Sequence, residues 1–180
     1  MKGVVFTEFA DMVEQRFSPE MLDSIIEDAH LPSGGAYTAV GTYPHEEMVA
    51  LVSALSSRSG TAVPELLRAF GEYLFGRFVK GYPAFFEGRT DAFSFLAGIE
   101  DVIHAEVRKL YPDAELPRFE VEHHDDHRLV IIYSSGRHFE DLAEGLIAGC
   151  ISHFGRSATL RRETLGEGPQ RRERFLLERA

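Results

Sequence analysis

The stretch Leu129-Val130-Ile131-Ile132-Tyr133-Ser134-Ser135-Gly136-Arg137 marks where the character of the chain changes. Its first five residues read as a strand, and the polar residues that follow read as the strand's end. Ten residues upstream, Phe119-Glu120-Val121-Glu122 is also strand-like, and Asp125-Asp126 between the two supplies turn residues. A hairpin is therefore predicted over 119–133. Beyond it, residues 139–154 put Leu142, Leu146, Ile147 and Ile151 on one helical face. Segments 158–165 and 171–178 then flank Gly166-Glu167-Gly168-Pro169 and read as a second hairpin.

Before this region the pattern is helical. Phe6, Phe9, Met12, Val13 and Phe17 recur at helical spacing. Ser18-Pro19-Glu20 looks like an N-cap followed by proline at the first helical position. That second helix carries Met21, Leu22, Ile25 and Ile26 and stops before Pro32-Ser33-Gly34-Gly35. Helices are also predicted over 46–58, over 64–80 and from about Asp91 to Leu110, where Tyr111-Pro112 closes the last. The fold class is α+β: a helical N-terminal part, then a small antiparallel sheet with a helix inserted between its hairpins. There is no internal repeat and no low-complexity linker.

A chain of 180 residues is long enough to bury a core and a cofactor within one domain. A net charge of −10 argues against general nucleic-acid binding, which needs a basic face. No apolar run approaches the roughly 20 residues of a membrane span. The start, Met1-Lys2-Gly3-Val4-Val5-Phe6, soon meets Glu8 and Asp11 and is unlike a signal peptide. The single cysteine, Cys150, excludes an intramolecular disulfide and a multi-cysteine zinc site. A soluble, cytoplasmic, acidic protein is the expectation. Fourteen Phe and no Trp is a skewed aromatic usage that composition alone does not explain.

Two sets of residues could carry chemistry. In an extended segment Tyr133, Ser135 and Arg137 share one face, offering two hydroxyls and a guanidinium suited to carboxylates. The plain alternative is a strand end with ordinary surface polarity. His104 lies among Ile99, Val102, Ile103 and Val107, where most lone histidines are structural. A neutral imidazole on a helix is also the usual way to hold heme iron from one side. His123-His124-Asp125-Asp126-His127 has metal-ligating residue types, but alternate side chains on an extended segment point apart, so a solvated turn is expected. Cys150, beside Ile147 and Ile151, is expected to be a buried, inert thiol.

Taken in order along the chain, these pieces resemble the heme nitric oxide/oxygen-binding (H-NOX) domains, related to the heme domain of soluble guanylate cyclase. The resemblance covers essentially the whole chain. It rests on His104 followed by Tyr111-Pro112 and Pro117-x-Phe119, and on Tyr-x-Ser-x-Arg at Tyr133, Ser135 and Arg137. The segments Leu66-Leu67-Arg68-Ala69-Phe70-Gly71-Glu72-Tyr73 and Glu144-Gly145-Leu146-Ile147 add to it.

The resemblance implies heme between a distal helical lobe of about residues 1–62 and a proximal lobe of about 63–180. It implies His104 as the iron ligand, Tyr133, Ser135 and Arg137 as holders of the propionates, and Pro117 pressing on the porphyrin. Val5, Phe78 and Leu146 would form distal walls. Relative to many members there is one extra residue between Phe95-Leu96 and His104, so the helix entering the ligand is expected to bulge or to shift register. Oxygen-binding members carry a distal tyrosine where this chain has Leu142, and the other relevant positions resemble Phe9 and Leu74. An apolar wall of this kind selects nitric oxide and carbon monoxide over oxygen.

No Cys-x-x-Cys-His motif exists, so a non-covalent heme b is implied. The implied function is a non-enzymatic gas sensor that changes shape and signals in trans, by analogy to a histidine kinase or a cyclic-di-nucleotide enzyme. The alternative is a heme-free module of the same fold that binds another apolar ligand.

Overall fold

The computed structural model describes residues 1–155, 157–166, 168 and 171–179. Four helices come first: α1 (Gly3–Arg16), α2 (Pro19–Ala29), α3 (His45–Ser59) and α4 (Val63–Gly81). A short 3₁₀ turn at Pro83–Phe85 leads to α5 (Ala92–Ala97), a π-helical segment (Ile99–His104) and α6 (Ala105–Leu110). The hairpin β1 (Arg118–His124) and β2 (Arg128–Ser134) follows, then α7 (Glu140–Phe154), then β3 (Ala158–Leu165) and β4 (Arg172–Arg179).

Local chemistry explains most boundaries. Ser18 Oγ accepts the Met21 N–H at 3.1 Å, and Pro19 opens α2 as expected. His30 ends α2 in the left-handed region at φ 46°, two residues before Pro32. Gly60 and Gly155 do the same for α3 and α7, at φ 73° and 68°. The predicted single helix over 91–110 is instead three consecutive pieces, with Asp91 Oδ2 capping the first through Ser94 N at 2.9 Å. The second predicted turn includes Glu167 and Pro169, which lie outside the described residues.

The α+β expectation holds. The four strands form one antiparallel sheet in the order β1-β2-β4-β3. β2 pairs with β4, so the two hairpins join through the middle of the sheet, with Ile131 opposite Phe175. Between Val121 and His123 the β1–β2 register shifts, a bulge on an edge strand.

Two hydrophobic cores result. One gathers Phe6, Met12, Ile25, Met48 and Leu55 of α1–α3 against Leu67, Phe70 and Leu74 of α4, and includes Phe139 and Leu142. The other packs Leu129, Ile131, Phe175 and Leu177 of the sheet against Phe93, Leu96, Ile147 and Cys150. Part of the phenylalanine excess gathers in this second region. Phe86 and Phe95 stack at 4.9 Å, and Phe75 meets Phe86 edge-on at 5.6 Å. Among the described residues, no helix is long and apolar enough to cross a membrane.

Helices α4 and α7 serve both cores, and they cross on glycine. A β-carbon at Gly71 would lie 2.4 Å from the Leu142 carbonyl oxygen, and one at Gly145 would lie 2.1 Å from that of Arg68. Gly145→Ala is therefore expected to destabilise the protein by at least about 1–3 kcal/mol through overpacking. Gly76→Ala, on the open side of α4 with nothing within 4 Å, should instead stabilise by about 0.5–1 kcal/mol. Urea denaturation of the two variants checks the pair.

Candidate functional site

Between Gly98 and His104 the helix widens into a π turn, the bulge of the two expected alternatives, bulge or shifted register. This turn sets His104, 9% exposed, on the wall of a cavity of about 1300 Å³. His104 Nδ1 lies 3.1 Å from Glu100 Oε2. A carboxylate only accepts, so Nδ1 carries the hydrogen and Nε2 is left to meet a ligand. Burial lowers the His104 pKa and Glu100 opposes it; the net lowering leaves the imidazole neutral near pH 7.

Burial pushes the Glu100 carboxyl up. The Arg108 guanidinium, the Phe119 N–H and His104 together outweigh that, so Glu100 is an ionised carboxylate. The surroundings that sequence painted as apolar thus include an anion, while Val102 is 36% exposed.

Tyr133, Ser135, Arg137 and Pro117 line the same cavity. The reason differs from the predicted one. β2 ends at Ser134, so only Tyr133 is positioned by strand alternation. Ser135 and Arg137 sit in the turn before α7, where Ser135 Oγ accepts the Arg137 N–H at 3.2 Å. Because the segment turns, Ser134 and Gly136 reach the cavity too. Arg137 Nη1 donates to the Glu115 carbonyl at 3.1 Å, and Nη2 pairs with the Glu115 carboxylate. Burial pushes the Tyr133 hydroxyl up to about 12, with Ser135 opposing, so it stays a donor.

Val5, Leu74, Phe78, Leu142 and Leu146 also line the cavity. Phe9 does not. It is 1% exposed and packs edge-on against Phe70 at 5.1 Å, one turn deeper in the first core than Val5.

A family profile described as Haem-NO-binding matches residues 2–162. The chain belongs to the H-NOX family. Its fold matches the crystal structure of the unliganded Fe(II) H-NOX protein from K. algicida with a TM-score of 0.93 and 39% identity, covering 100% of this chain and 97% of that one. The Fe(II)NO H-NOX protein from S. oneidensis gives 0.90 and 27%, covering 100% and 99%. The Fe(II)CO H-NOX from Shewanella woodyi, solved in solution bound to IWP-051, gives 0.85 and 39%, covering 100% and 95%. No curated protein sequence matches.

The residues of this H-NOX domain suit a heme. The cavity exceeds the roughly 300–1,000 Å³ of pockets for drug-sized ligands. Its wall combines a neutral imidazole, an apolar lining and a donor set for carboxylates. Sequence reasoning missed Met1 and His45, which share that wall with Tyr43. The Met1 ammonium donates to the Tyr43 carbonyl at 2.7 Å, and Tyr43 N–H donates back to the Met1 carbonyl at 2.9 Å. Contacts this distant in the chain leave no local signal, although Pro44 ahead of α3 marks where the chain turns. The Tyr43 hydroxyl accepts the Thr38 N–H at 2.9 Å. Tyr37 donates to Glu47 at 2.7 Å, and neither Tyr37 nor Tyr73 is part of the cavity wall.

The histidine-rich turn assembles no metal site: among the described residues, no group of three or more His, Cys, Asp or Glu could hold an ion. Cys150 is fully buried, and burial pushes its thiol up, away from the reactive thiolate.

Asp125 organises the turn instead, with His123 Nε2 at 2.7 Å and the N–H groups of His127 and Arg128 at 2.8 and 2.7 Å. These bonds, His123 first, lower its pKa from 3.8 to about 2. A depressed carboxyl contributes stability above its unfolded pKa and loses it as pH falls through the folded one. Asp125→Ala should therefore lower the melting temperature at pH 6 and narrow its gap to wild type at pH 2, which thermal melts at both pH values check.

Proposed function

We propose that this chain is a heme-based sensor of nitric oxide and carbon monoxide that excludes oxygen and signals to a separate effector protein. The observation that carries it is His104. Its neutral imidazole, fixed at Nδ1 by Glu100, shares one large cavity with Tyr133, Ser135 and Arg137.

A non-covalent heme b, when bound, supplies the iron at which the gas is held. His104 would give its Nε2 lone pair to that iron. Arg137, Tyr133 and Ser135 would donate hydrogen bonds to the propionates, Arg137 leaving its Glu115 carboxylate to do so. Pro117, on the same wall, would press on the ring.

Gas choice follows from the wall. Oxygen needs a hydrogen-bond donor there, worth about 1–3 kcal/mol. Val5, Leu74, Phe78, Leu142 and Leu146 offer none, Tyr37 donates its hydroxyl to Glu47, and Tyr43 on the wall holds its hydroxyl against Thr38, 2.9 Å from the N–H and 3.5 Å from Oγ1. His45, also on the wall, has its Nδ1 turned to Glu46 Oε2 at 3.3 Å. The Fe(II)NO and Fe(II)CO states of the S. oneidensis and S. woodyi relatives support the two ligands.

About residues 1–62 would act as a distal lobe and about 63–180 as a proximal lobe that moves with His104. The partner would be a histidine kinase or a cyclic-di-nucleotide enzyme in the cytoplasm, and no catalytic role is assigned to this chain.

Absorption spectra of the ferrous protein test the reading. Nitric oxide and carbon monoxide should each shift the spectrum, and air should give no stable oxygen complex. His104→Gly should lose heme, or keep it only with added imidazole. A persistent oxygen spectrum overturns the gas discrimination. A protein that stays colourless after heme supplementation favours the heme-free module.

The donor set makes a second forecast. A guanidinium can make two charge-assisted bonds to one carboxylate, whereas a hydroxyl donates one. Arg137→Ala should therefore lower heme occupancy more than Ser135→Ala, read as the ratio of Soret to protein absorbance. Equal, negligible losses would mark the segment as a plain strand end.

A further inference from the structure

We infer that Glu100 is a positioning residue for the iron ligand: it fixes the His104 tautomer, strengthens its donation through Nε2, and ties it to β1. The inference rests on the reading of His104 as that ligand.

Three elements converge on this one carboxylate. Oε2 accepts from His104 Nδ1 at 3.1 Å and from the Phe119 N–H at 3.2 Å, and Oε1 pairs with Arg108 of α6. An ordinary surface pair four residues apart on a helix joins two side chains and contributes little. Here the histidine is 9% exposed, and the same oxygen also takes the backbone N–H of Phe119, the second residue of β1.

Two effects follow. A carboxylate accepting from Nδ1–H gives the ring imidazolate character and makes Nε2 a stronger donor. With heme bound, that would favour the ferric over the ferrous state and stiffen the bond from Nε2 to the iron. Glu100 also couples position. Phe119 lies two residues after Pro117, which lines the cavity with His104. A displacement of His104 must carry β1 with it or break one of the two bonds to Oε2. Arg108 draws charge from the same carboxylate and so weakens its hold on the imidazole.

The tests use Glu100→Gln, Glu100→Ala and Arg108→Ala beside wild type, with thermal melts to show that each folds. In the heme-free protein, ¹H–¹⁵N NMR should show His104 as the Nδ1–H tautomer in wild type and as a mixture in Glu100→Ala. In the heme-loaded ferrous protein, Glu100→Gln should lower the iron–imidazole stretching frequency in resonance Raman spectra and raise the midpoint potential. Arg108→Ala should move both in the opposite direction, which a merely structural role for Glu100 would not produce. Heme transfer from Glu100→Ala to apomyoglobin should run about tenfold faster than from wild type.

Unchanged frequency and potential in Glu100→Gln, or a shift of the same sign in Arg108→Ala, overturns the inference and leaves the sensor reading standing. A wild type that takes up no heme overturns the sensor reading, and the tautomer measurement still decides whether Glu100 orients His104.

Discussion

Where α4 and α7 cross, their backbones touch without side chains between them. The carbonyl of Arg68 occupies the space a β-carbon of Gly145 would need, and that of Leu142 the space beside Gly71. Interiors are close-packed, so two helices locked this way behave as one rigid piece. Each then sends residues into both cores: Leu67, Phe70 and Leu142 into one, Phe75, Ala143 and Ile147 into the other. The cavity sits where the two cores meet, with Leu74 and Phe78 supplied by α4 and Leu142 and Leu146 by α7. Its width on that side is set by a contact that admits no adjustment.

Charge holds the same joint from outside. Asp141 in the first turn of α7 pairs with Arg68 of α4 and Arg162 of β3, each at 2.9 Å. Glu173 of β4, 2% exposed, accepts from Thr164 at 2.9 Å and from Arg171 Nε at 2.8 Å. Burying a carboxylate is costly unless its lone pairs are satisfied, and here they are. Arg171 continues to Glu140 at 2.9 Å, so the start of α7 is fastened to α4 and to the sheet. The turn bearing Ser135 and Arg137 leads directly into that fastened end.

What the sequence revealed follows from which forces are local. Helical spacing in α1–α4 and α7, the Ser18 cap and the two hairpins were readable because they depend on neighbours a few residues apart. The break in the helix drawn through 91–110 was legible only through the resemblance, by the one extra residue before His104, because apolar periodicity does not record which backbone hydrogen bonds widen a turn. Alternation accounted for Tyr133 but not for Ser135 and Arg137, which reach the cavity through a turn ending at His138, φ 55°. Phe9 was misjudged because depth within a core depends on Phe70, some sixty residues away in a separate helix. His45 was missed because its surroundings are distant in the chain, such as its edge-on contact with Phe139. Glu100 stood in plain view four residues before His104, but only the fold shows that Arg108 and Phe119 claim it too.

The π turn has a consequence for how such chains can change length. In an α-helix each residue advances the side chains by about 100°. An added residue would ordinarily rotate everything beyond it, swinging the histidine off its wall or carrying Phe93 and Leu96 out of the core. A single widened turn absorbs the addition locally, so both flanking faces keep their phase. Losing one residue between Gly98 and His104 would close the widened turn to an ordinary helical one and leave the two flanking faces in phase. This short segment is therefore where the chain can differ by one residue in length while the histidine keeps its aim.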